Sequence, residues 1–195
     1  MKLSKKQYNF FHANGYLIVE NFFSSNELND FKQELSKIIL SELKRAKISN
    51  LSYSNFDIYD KGIEILEKHN HDHVASIYDT ISFSTSFLRL ISKRKTQNII
   101  NQLLDKEIND PLYGYTNRCR IDPPIDSRRT YGWHQEVFYT IPESTFIQTW
   151  APLIRSSNKA NGTISIAVGS HKSGIPKQSW KIKEGHADQI IVDSS

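Results

Sequence analysis

The spacing of apolar residues changes at Asp110-Pro111, and this change constrains the fold more than any other feature of the sequence. Before that point apolar residues recur at the 3.6-residue period of a helix. After it they fall in short runs bounded by Pro, Asn or Gly, which is typical of strands. Helices followed by several strands predict an α+β fold in which a β-sandwich or barrel carries the functional site.

The first 110 residues predict mainly helices with one short strand. Ser4 as an N-cap and Asn14-Gly15 as a stop signal predict a helix over 4–14, and Tyr16–Val19 is a short apolar β-run. Apolar residues at 28, 31, 35, 38, 39 and 43 predict a helix over about 26–47 with one buried stripe. Residues 48–62 predict an irregular connection, and Glu64–Lys68 a helical turn.

The pattern from Val74 to Leu104 predicts two further helical pieces, with Lys93–Lys95 capping the first or opening the second. Their predicted buried stripes are Phe83, Phe87, Leu88 and Ile91, and then Ile99, Ile100, Leu103 and Leu104. After Asp122-Pro-Pro-Ile-Asp126, which reads as a turn, strands are predicted over 131–139, 145–154 and 163–168.

Composition bounds the class of protein. A length of 195 residues fits one domain with a sizeable core, and a net charge of +4 is too small and too dispersed to indicate nucleic-acid binding. The single Cys119 excludes an internal disulfide and fits a reducing compartment. We interpret it as a buried strand residue in preference to a catalytic thiol. The amino terminus does not resemble a signal peptide, and no apolar stretch approaches the ~20 residues needed to cross a bilayer, so we expect a cytoplasmic protein without a membrane partner.

The run Tyr131-Gly-Trp-His134-Gln-Glu136-Val-Phe-Tyr139 contains the residues that point most directly to chemistry. If the run is a strand, alternation sends His134 and Glu136 to one face, about 6.6 Å apart along the backbone. An imidazole and a carboxylate at that separation can share a metal ion. Together with a distant histidine they form the facial triad of non-haem Fe(II) oxygenases.

A second histidine cluster leaves an alternative open. His69, His71 and His73 alternate along the chain and from a strand would chelate zinc, the basis of a hydrolase hypothesis. The spacing lacks one residue of the His-x-His-x-Asp-His pattern of metallo-β-lactamases. The surrounding residues indicate a loop entering a helix, in which the three rings splay apart.

In four places, in order, the chain resembles the phytanoyl-CoA dioxygenase family of Fe(II)- and 2-oxoglutarate-dependent oxygenases. The similar segments are Phe11-His-Ala-Asn-Gly15-Tyr-Leu-Ile-Val19-Glu-Asn-Phe, Arg120-Ile-Asp-Pro-Pro with Trp133-His134-Gln135-Glu136, Gln148-Thr-Trp150-Ala-Pro152-Leu, and Asn161-Gly162-Thr-Ile-Ser-Ile-Ala-Val-Gly169-Ser170-His171-Lys172. The resemblance implies a double-stranded β-helix, a cupin-like jelly roll over 111–195, with helices of 1–110 packed on one sheet of a single domain 1–195.

The resemblance also implies the site. His134 and Glu136 match the iron ligands, although most members carry Asp in place of Glu136. Trp150 matches a family tryptophan near 2-oxoglutarate, and we assign Gln148 and Arg120 with it as cofactor-binding residues. His171 belongs to a tight turn. The implied reaction couples oxidative decarboxylation of 2-oxoglutarate to hydroxylation of a small-molecule substrate by molecular oxygen.

The distal iron-binding histidine of the family, and the arginine that anchors 2-oxoglutarate, have no counterpart before Ser195. After Glu136 only His171 and His186 carry an imidazole. The sequence therefore predicts either a truncated member or one whose third ligand and anion anchor come from elsewhere, with low or no turnover. The alternative from another class is a non-catalytic jelly-roll module that binds a small anion or sugar. Substrate identity and oligomeric state stay open at this level.

Overall fold

A computed structural model of the protein describes residues 1–48, 57–114, 117–123, 130–139, 145–182 and 189–193. In that part of the chain six α-helices precede two β-strands. The helices are α1 (Lys5–Asn14), α2 (Ser25–Arg45), α3 (Ile63–His69), α4 (Asp72–Ile81), α5 (Thr85–Ile91) and α6 (Arg94–Leu103), and the strands are β1 (Gln178–Lys181) and β2 (Gln189–Val192). A π-helical turn at Ile58–Gly62 leads into α3, and 3-10 helices cover Glu136–Tyr139 and Ser170–Lys172.

Helix α1 begins and ends where its sequence signals predict. The Ser4 side chain accepts a hydrogen bond from the Gln7 backbone, and the Gln7 side chain accepts one from the Ser4 backbone, which forms a capping box. Gly15 ends the helix with φ 82°, a left-handed conformation that suits glycine. The predicted strand at Tyr16–Val19 is wrong, because these residues pair with no strand in the described part. Leu17 and Val19 instead pack on a small apolar cluster around α6.

Helix α2 provides the stripe around which the helical layer packs. Its buried apolar residues recur at four-residue spacing, and this confirms the predicted stripe: Phe31, Leu35, Ile39 and Leu43. A second capping box joins Ser24 to Glu27 at its amino end. The Glu27 carboxylate also accepts hydrogen bonds from Lys93 at 2.6 Å and Lys95 at 3.1 Å, so the start of α2 is tied to the start of α6.

One core cluster joins α2 to the three helices that follow it. Its buried members beyond α2 are Ile63, Leu66, Val74, Ile77, Ile81, Phe87, Leu90 and Cys119. Gly62 lets the π-helical turn approach α2, since a Cβ there would stand 3.0 Å from Ile39 Cγ2. The predicted helical turn at Glu64–Lys68 lies within α3, whereas the irregular connection predicted over 48–62 ends earlier, at the π-helical turn. Residues 49–56 of that connection lie outside the described part.

Three helices, where two were predicted, occupy Val74–Leu104. The Ser84 hydroxyl accepts from the Phe87 backbone at 3.2 Å and starts α5 as a new N-cap. This break resets the helical phase, so the predicted stripe fails at Phe83, which is 78% exposed, and at Leu88, while Phe87 and Leu90 are buried. Lys93 is the N-cap residue of α6, so of the two predicted roles for Lys93–Lys95 the one that opens the second helical piece is confirmed.

The three predicted strands are wrong. Residues 131–135 form no strand, bend at Trp133 and continue into a 3-10 helix, and 145–154 and 163–168 contain no strand. A strand requires a continuous ladder of backbone hydrogen bonds with a neighbour, and these described segments form no such ladder. Their apolar side chains are largely exposed, as at Phe146, Trp150, Ile164, Ile166 and Val168.

The sheet of the described residues is one antiparallel pair, β1 with β2, in which Trp180 faces Ile190. The fold is therefore a helical layer with a small antiparallel sheet, and the described residues do not form the double-stranded β-helix that the sequence predicts. Among the same residues, no helix has both the length and the apolar content that crossing a bilayer requires.

The turn Gly169–Lys172 contacts the end of α1. The prediction of a tight turn is confirmed by the 3-10 helix that follows Gly169, whose φ is 79°. Gly169 N donates to Asn14 O at 2.8 Å, and a hydrogen bond of 3.1 Å joins His171 Nε2 to His12 O. A Cβ on Gly15 would lie 2.3 Å from His171 Nδ1, so the imidazole occupies the space that the glycine leaves open.

Cys119 is buried in the helical core, as predicted, but outside any strand. Its backbone N–H donates to the Ser82 hydroxyl at 3.1 Å. Burial raises the pKa of its thiol to about 12. A catalytic thiol requires a lowered pKa and access to substrate, so this cysteine is a packing residue.

Glu27→Gln should make the protein less stable near neutral pH, and the difference from wild type should shrink at low pH. Hydrogen bonds from Lys93, the Ser24 backbone and Lys95 hold the pKa of Glu27 well below its usual range. A depressed folded-state pKa contributes stability above the unfolded-state value of 4.5 and loses it as the pH falls further. Urea midpoints of both proteins near neutral pH and at about pH 3 measure this.

The control for this prediction is Asp30→Asn, which removes an exposed carboxylate from the same helix. It should leave the midpoint nearly unchanged. A Glu27→Gln deficit that stays constant across the pH range would contradict the ion-pair account.

Gly15→Ala should destabilise the protein by about 2 kcal/mol, the sum of left-handed backbone strain and a displaced His171 ring. In a His171→Ala background only the backbone strain remains, about 1–2 kcal/mol. Urea unfolding of the four proteins of this double-mutant cycle gives the coupling energy. Strict additivity would show that Gly15 and His171 do not contact each other in solution.

Candidate metal centre

The segment 130–139, which contains His134 and Glu136, lies along the edge of β2 that faces away from β1. Val192 N donates to Trp133 O at 2.8 Å. The Tyr139 hydroxyl accepts from Ile190 N at 2.7 Å and donates to Ile190 O at 3.1 Å. These bonds satisfy backbone groups that an antiparallel neighbour would otherwise take, so the segment stands in the place of a third strand.

His134 and Glu136 meet, but by a different route from the predicted one. The 3-10 helix at Glu136–Tyr139 turns the Glu136 side chain back toward His134, so that His134 Nε2 and Glu136 Oε1 lie 3.4 Å apart. Both side chains are partly exposed, at 25% and 37%. The two groups therefore converge on one point at the surface of the segment.

The other ring nitrogen of His134 is held by the backbone. Nδ1 lies 2.8 Å from Gly132 O, and a carbonyl only accepts, so Nδ1 carries the proton. The hydrogen bond with Glu136 raises the pKa of His134, burial lowers it in part, and the Gly132 carbonyl and the Glu136 charge raise it further. With Nδ1 protonated, the nitrogen that faces Glu136 is the one available to a metal or to a second proton.

Two aromatic rings flank the imidazole. Tyr131 lies 5.7 Å from it between ring centroids, and Tyr139 lies 5.8 Å from it in a T-shaped arrangement. These contacts limit rotation of the His134 ring. The sequence pattern did not single out Gly132 or Tyr131 as site residues, because a backbone carbonyl leaves no signal in a motif.

The donor set fits ferrous iron in part. A neutral imidazole whose Nδ1–H donates to a carbonyl is the usual arrangement of a metal-ligating histidine, and a carboxylate beside its Nε2 completes two positions of a facial triad. Among the described residues, no group of three His, Cys, Asp or Glu side chains is placed to hold one metal ion.

Among the described residues, no other histidine joins His134 and Glu136 as a third metal ligand. His171 is engaged at the end of α1, and His186 lies outside the described residues. His69 is the last residue of α3, His71 precedes α4 and His73 lies within α4, so the predicted helix start is confirmed. The prediction that the rings splay apart is wrong for His69 and His73, whose ring centroids are 5.9 Å apart. Among the described residues the three histidines form no metal group. His73 Nδ1 is instead 2.8 Å from Glu42 in the helical layer.

Arg120 lies close to the pair, but its guanidinium has a partner. Its Nε and NH2 groups donate to the two carboxylate oxygens of Asp122 at 3.1 and 3.0 Å. The guanidinium also stacks over the Tyr131 ring at 4.7 Å. Arg120 is thus linked to His134 through Tyr131. Asp122 occupies the two guanidinium donors with which Arg120 would bind another carboxylate.

The structure does not bring Gln148 and Trp150 to the pair. Both side chains are exposed, and no hydrogen bond or ring contact between them and His134 or Glu136 occurs within the described residues. Of the five predicted site residues, His134, Glu136 and Arg120 are therefore linked through contacts in the described part of the chain.

Comparison with known proteins gives two matches. The profile of the family described as Phytanoyl-CoA dioxygenase (PhyH) matches residues 11–192. The peroxisomal phytanoyl-CoA dioxygenase of Bos taurus is 19% identical over 192 residues, which cover 94% of this chain and 52% of that protein. The chain thus spans about half the length of the curated relative it matches. No solved structure matches the chain significantly.

Proposed function

Because the chain belongs to the phytanoyl-CoA dioxygenase family, we propose that it is an Fe(II)- and 2-oxoglutarate-dependent dioxygenase that hydroxylates a small organic substrate. Dioxygenase activity is the family-level function. The single observation that carries the finer proposal is the convergence of His134 Nε2 and Glu136 Oε1 at 3.4 Å. By resemblance, the pair matches the iron-binding His-x-Asp/Glu of the family.

In this proposal His134 and Glu136 hold the ferrous iron. When bound together with 2-oxoglutarate, the iron supplies the oxygen chemistry that couples decarboxylation of the co-substrate to hydroxylation of the substrate. The Gly132 carbonyl keeps the proton on Nδ1, so that the Nε2 lone pair points toward the metal position. Tyr131 and Tyr139 contact the ring and restrict its rotation.

Arg120, Gln148 and Trp150 complete the proposal as the 2-oxoglutarate-binding residues. Arg120 is the best placed of the three, because its guanidinium stacks on Tyr131 beside the pair. A carboxylate that binds there must replace Asp122 as the partner of the Arg120 guanidinium. Asp122 is exposed, so water can then solvate its carboxylate. The family's double-stranded β-helix, a single domain over 1–195 and a reducing location such as the cytoplasm belong to the same proposal.

Removal of His134 should abolish tight binding of a divalent metal. Mn(II) is a redox-stable probe for an Fe(II) site, and its free form gives an electron paramagnetic resonance signal that reports the unbound fraction. We expect wild type to bind Mn(II) and His134→Ala to bind at least about 10-fold more weakly, since loss even of a residue that only supports a ligand costs that much.

The matched control is His71→Ala, which removes an exposed histidine at the α3–α4 junction. It should leave the Mn(II) affinity unchanged. Equal affinities of wild type and His134→Ala would reject the metal site. A zinc content that depends on His71 would favour the hydrolase alternative.

We expect slow turnover from this 195-residue polypeptide. A pair of protein ligands holds iron more weakly than a full triad does. In the described part of the chain no third side chain joins His134 and Glu136. Succinate release should therefore be low with Fe(II), 2-oxoglutarate and oxygen, and should vanish in a His134→Ala/Glu136→Ala variant. Rapid release by wild type would contradict this expectation, and release that persists in the variant would contradict the site.

A further inference from the structure

We propose that Gln189 is a positioning residue for His134, acting through the backbone of Gly132. The inference rests on the proposed function in that His134 is taken as the metal ligand. Gln189 is the first residue of β2, and no motif singles it out. Gln189 is nevertheless a buried polar residue, with 3% exposure.

Both ends of the Gln189 amide are used by the segment that carries His134. Gly132 N donates to Gln189 Oε1 at 3.1 Å, and Gln189 Nε2 donates to Thr130 O at 3.0 Å. The side chain thus supplies the acceptor and the donor that a neighbouring strand would offer to Thr130 and Gly132. A flipped amide would face donor to donor and acceptor to acceptor, so one orientation is enforced.

Gly132 passes this restraint to the imidazole. Its N–H is held by Gln189, and its carbonyl accepts from His134 Nδ1 at 2.8 Å. A glycine has no Cβ to restrict its backbone, so an external anchor is what fixes the direction of that carbonyl. The Ile191 side chain also packs closely here, since a Cβ on Gly132 would lie 3.1 Å from Ile191 Cγ2.

The consequence is a defined tautomer. With Gly132 O in place, the ring proton of neutral His134 stays on Nδ1 and Nε2 presents its lone pair. If the carbonyl turns away, Nδ1 loses its acceptor. The proton then moves to Nε2, where it donates to Glu136 Oε1, 3.4 Å away, and blocks the nitrogen that would bind the metal.

Gln189→Met tests the proposal, because it keeps the length of the side chain and removes both hydrogen bonds of the side-chain amide. The ring nitrogens of His134 are observed in the metal-free protein by long-range ¹H–¹⁵N correlation, at a pH where the ring is neutral. We expect Nδ1–H in wild type and predominantly Nε2–H in Gln189→Met. The Mn(II) affinity of the variant should fall about 10-fold.

The control is Gln178→Met, the same exchange at an exposed position of β1. It should leave both the tautomer and the Mn(II) affinity as in wild type, although its thermal midpoint is free to move. If Gln189→Met does not fold, hydrogen exchange of the Gly132 amide in wild type decides, since the bond to Gln189 predicts protection.

The outcomes separate the two proposals. Wild type that binds Mn(II) through His134, with Gln189→Met unchanged in tautomer and affinity, overturns the role of Gln189 alone. An unprotected Gly132 amide in wild type does the same. Absence of Mn(II) binding in wild type overturns the metal site, and the tautomer comparison still shows whether Gln189 orients His134.

Discussion

The burial of one stripe on α2 is the constraint on which the helical layer depends. Phe31, Leu35, Ile39 and Leu43 are almost inaccessible to solvent, and the π-helical turn, α3, α4 and α5 all pack on the same helix. Burying a side chain of this size contributes about 1.5–3 kcal/mol, so the stripe supplies a large share of the stability of a small domain. Without it the following helices have no common surface.

A polar group inside this layer fixes the relative placement of two helices. The Glu42 carboxylate is nearly buried on α2, and a buried charge requires partners. Arg45 approaches it at 2.7 Å from the same helix, and His73 at 2.8 Å and Ser76 at 3.3 Å approach it from α4. Apolar packing alone tolerates sliding, whereas these directional bonds select one register of α4 on α2.

The carboxyl-terminal half is attached to the helical layer by separate contacts. Leu153 and Ile154 pack on the core, Arg155 pairs with Asp57 and Asp60 at 3.0 and 2.5 Å, and the Gly169 turn contacts the end of α1. The candidate metal centre then takes its shape from side chains that bond to backbone groups across the contact between β2 and the segment 130–139. Its geometry depends on Gln189 and Tyr139 in the role that a strand ladder plays in a sheet.

Sequence reasoning succeeded where the signal was local. The cap at Ser4, the stop at Gly15 and the four-residue stripe of α2 all depend on residues within a few positions of one another. It failed where the outcome depended on a distant partner. The apolar alternation at Ile164, Ile166 and Val168 is typical of a strand, but the described residues offer it no neighbour. The stripe at Phe83 failed because a new N-cap at Ser84 changed the helical phase.

The sequence by itself determined the family, the helices α1 and α2 and the His-x-Glu spacing of His134 and Glu136, because residue identities and short spacings carry that information. The tertiary structure decided how the two side chains meet: through a 3-10 turn beside β2, with Gly132 and Gln189 orienting the ring. Hydrogen bonds between residues more than fifty positions apart depend on how the chain packs, and no local pattern encodes them.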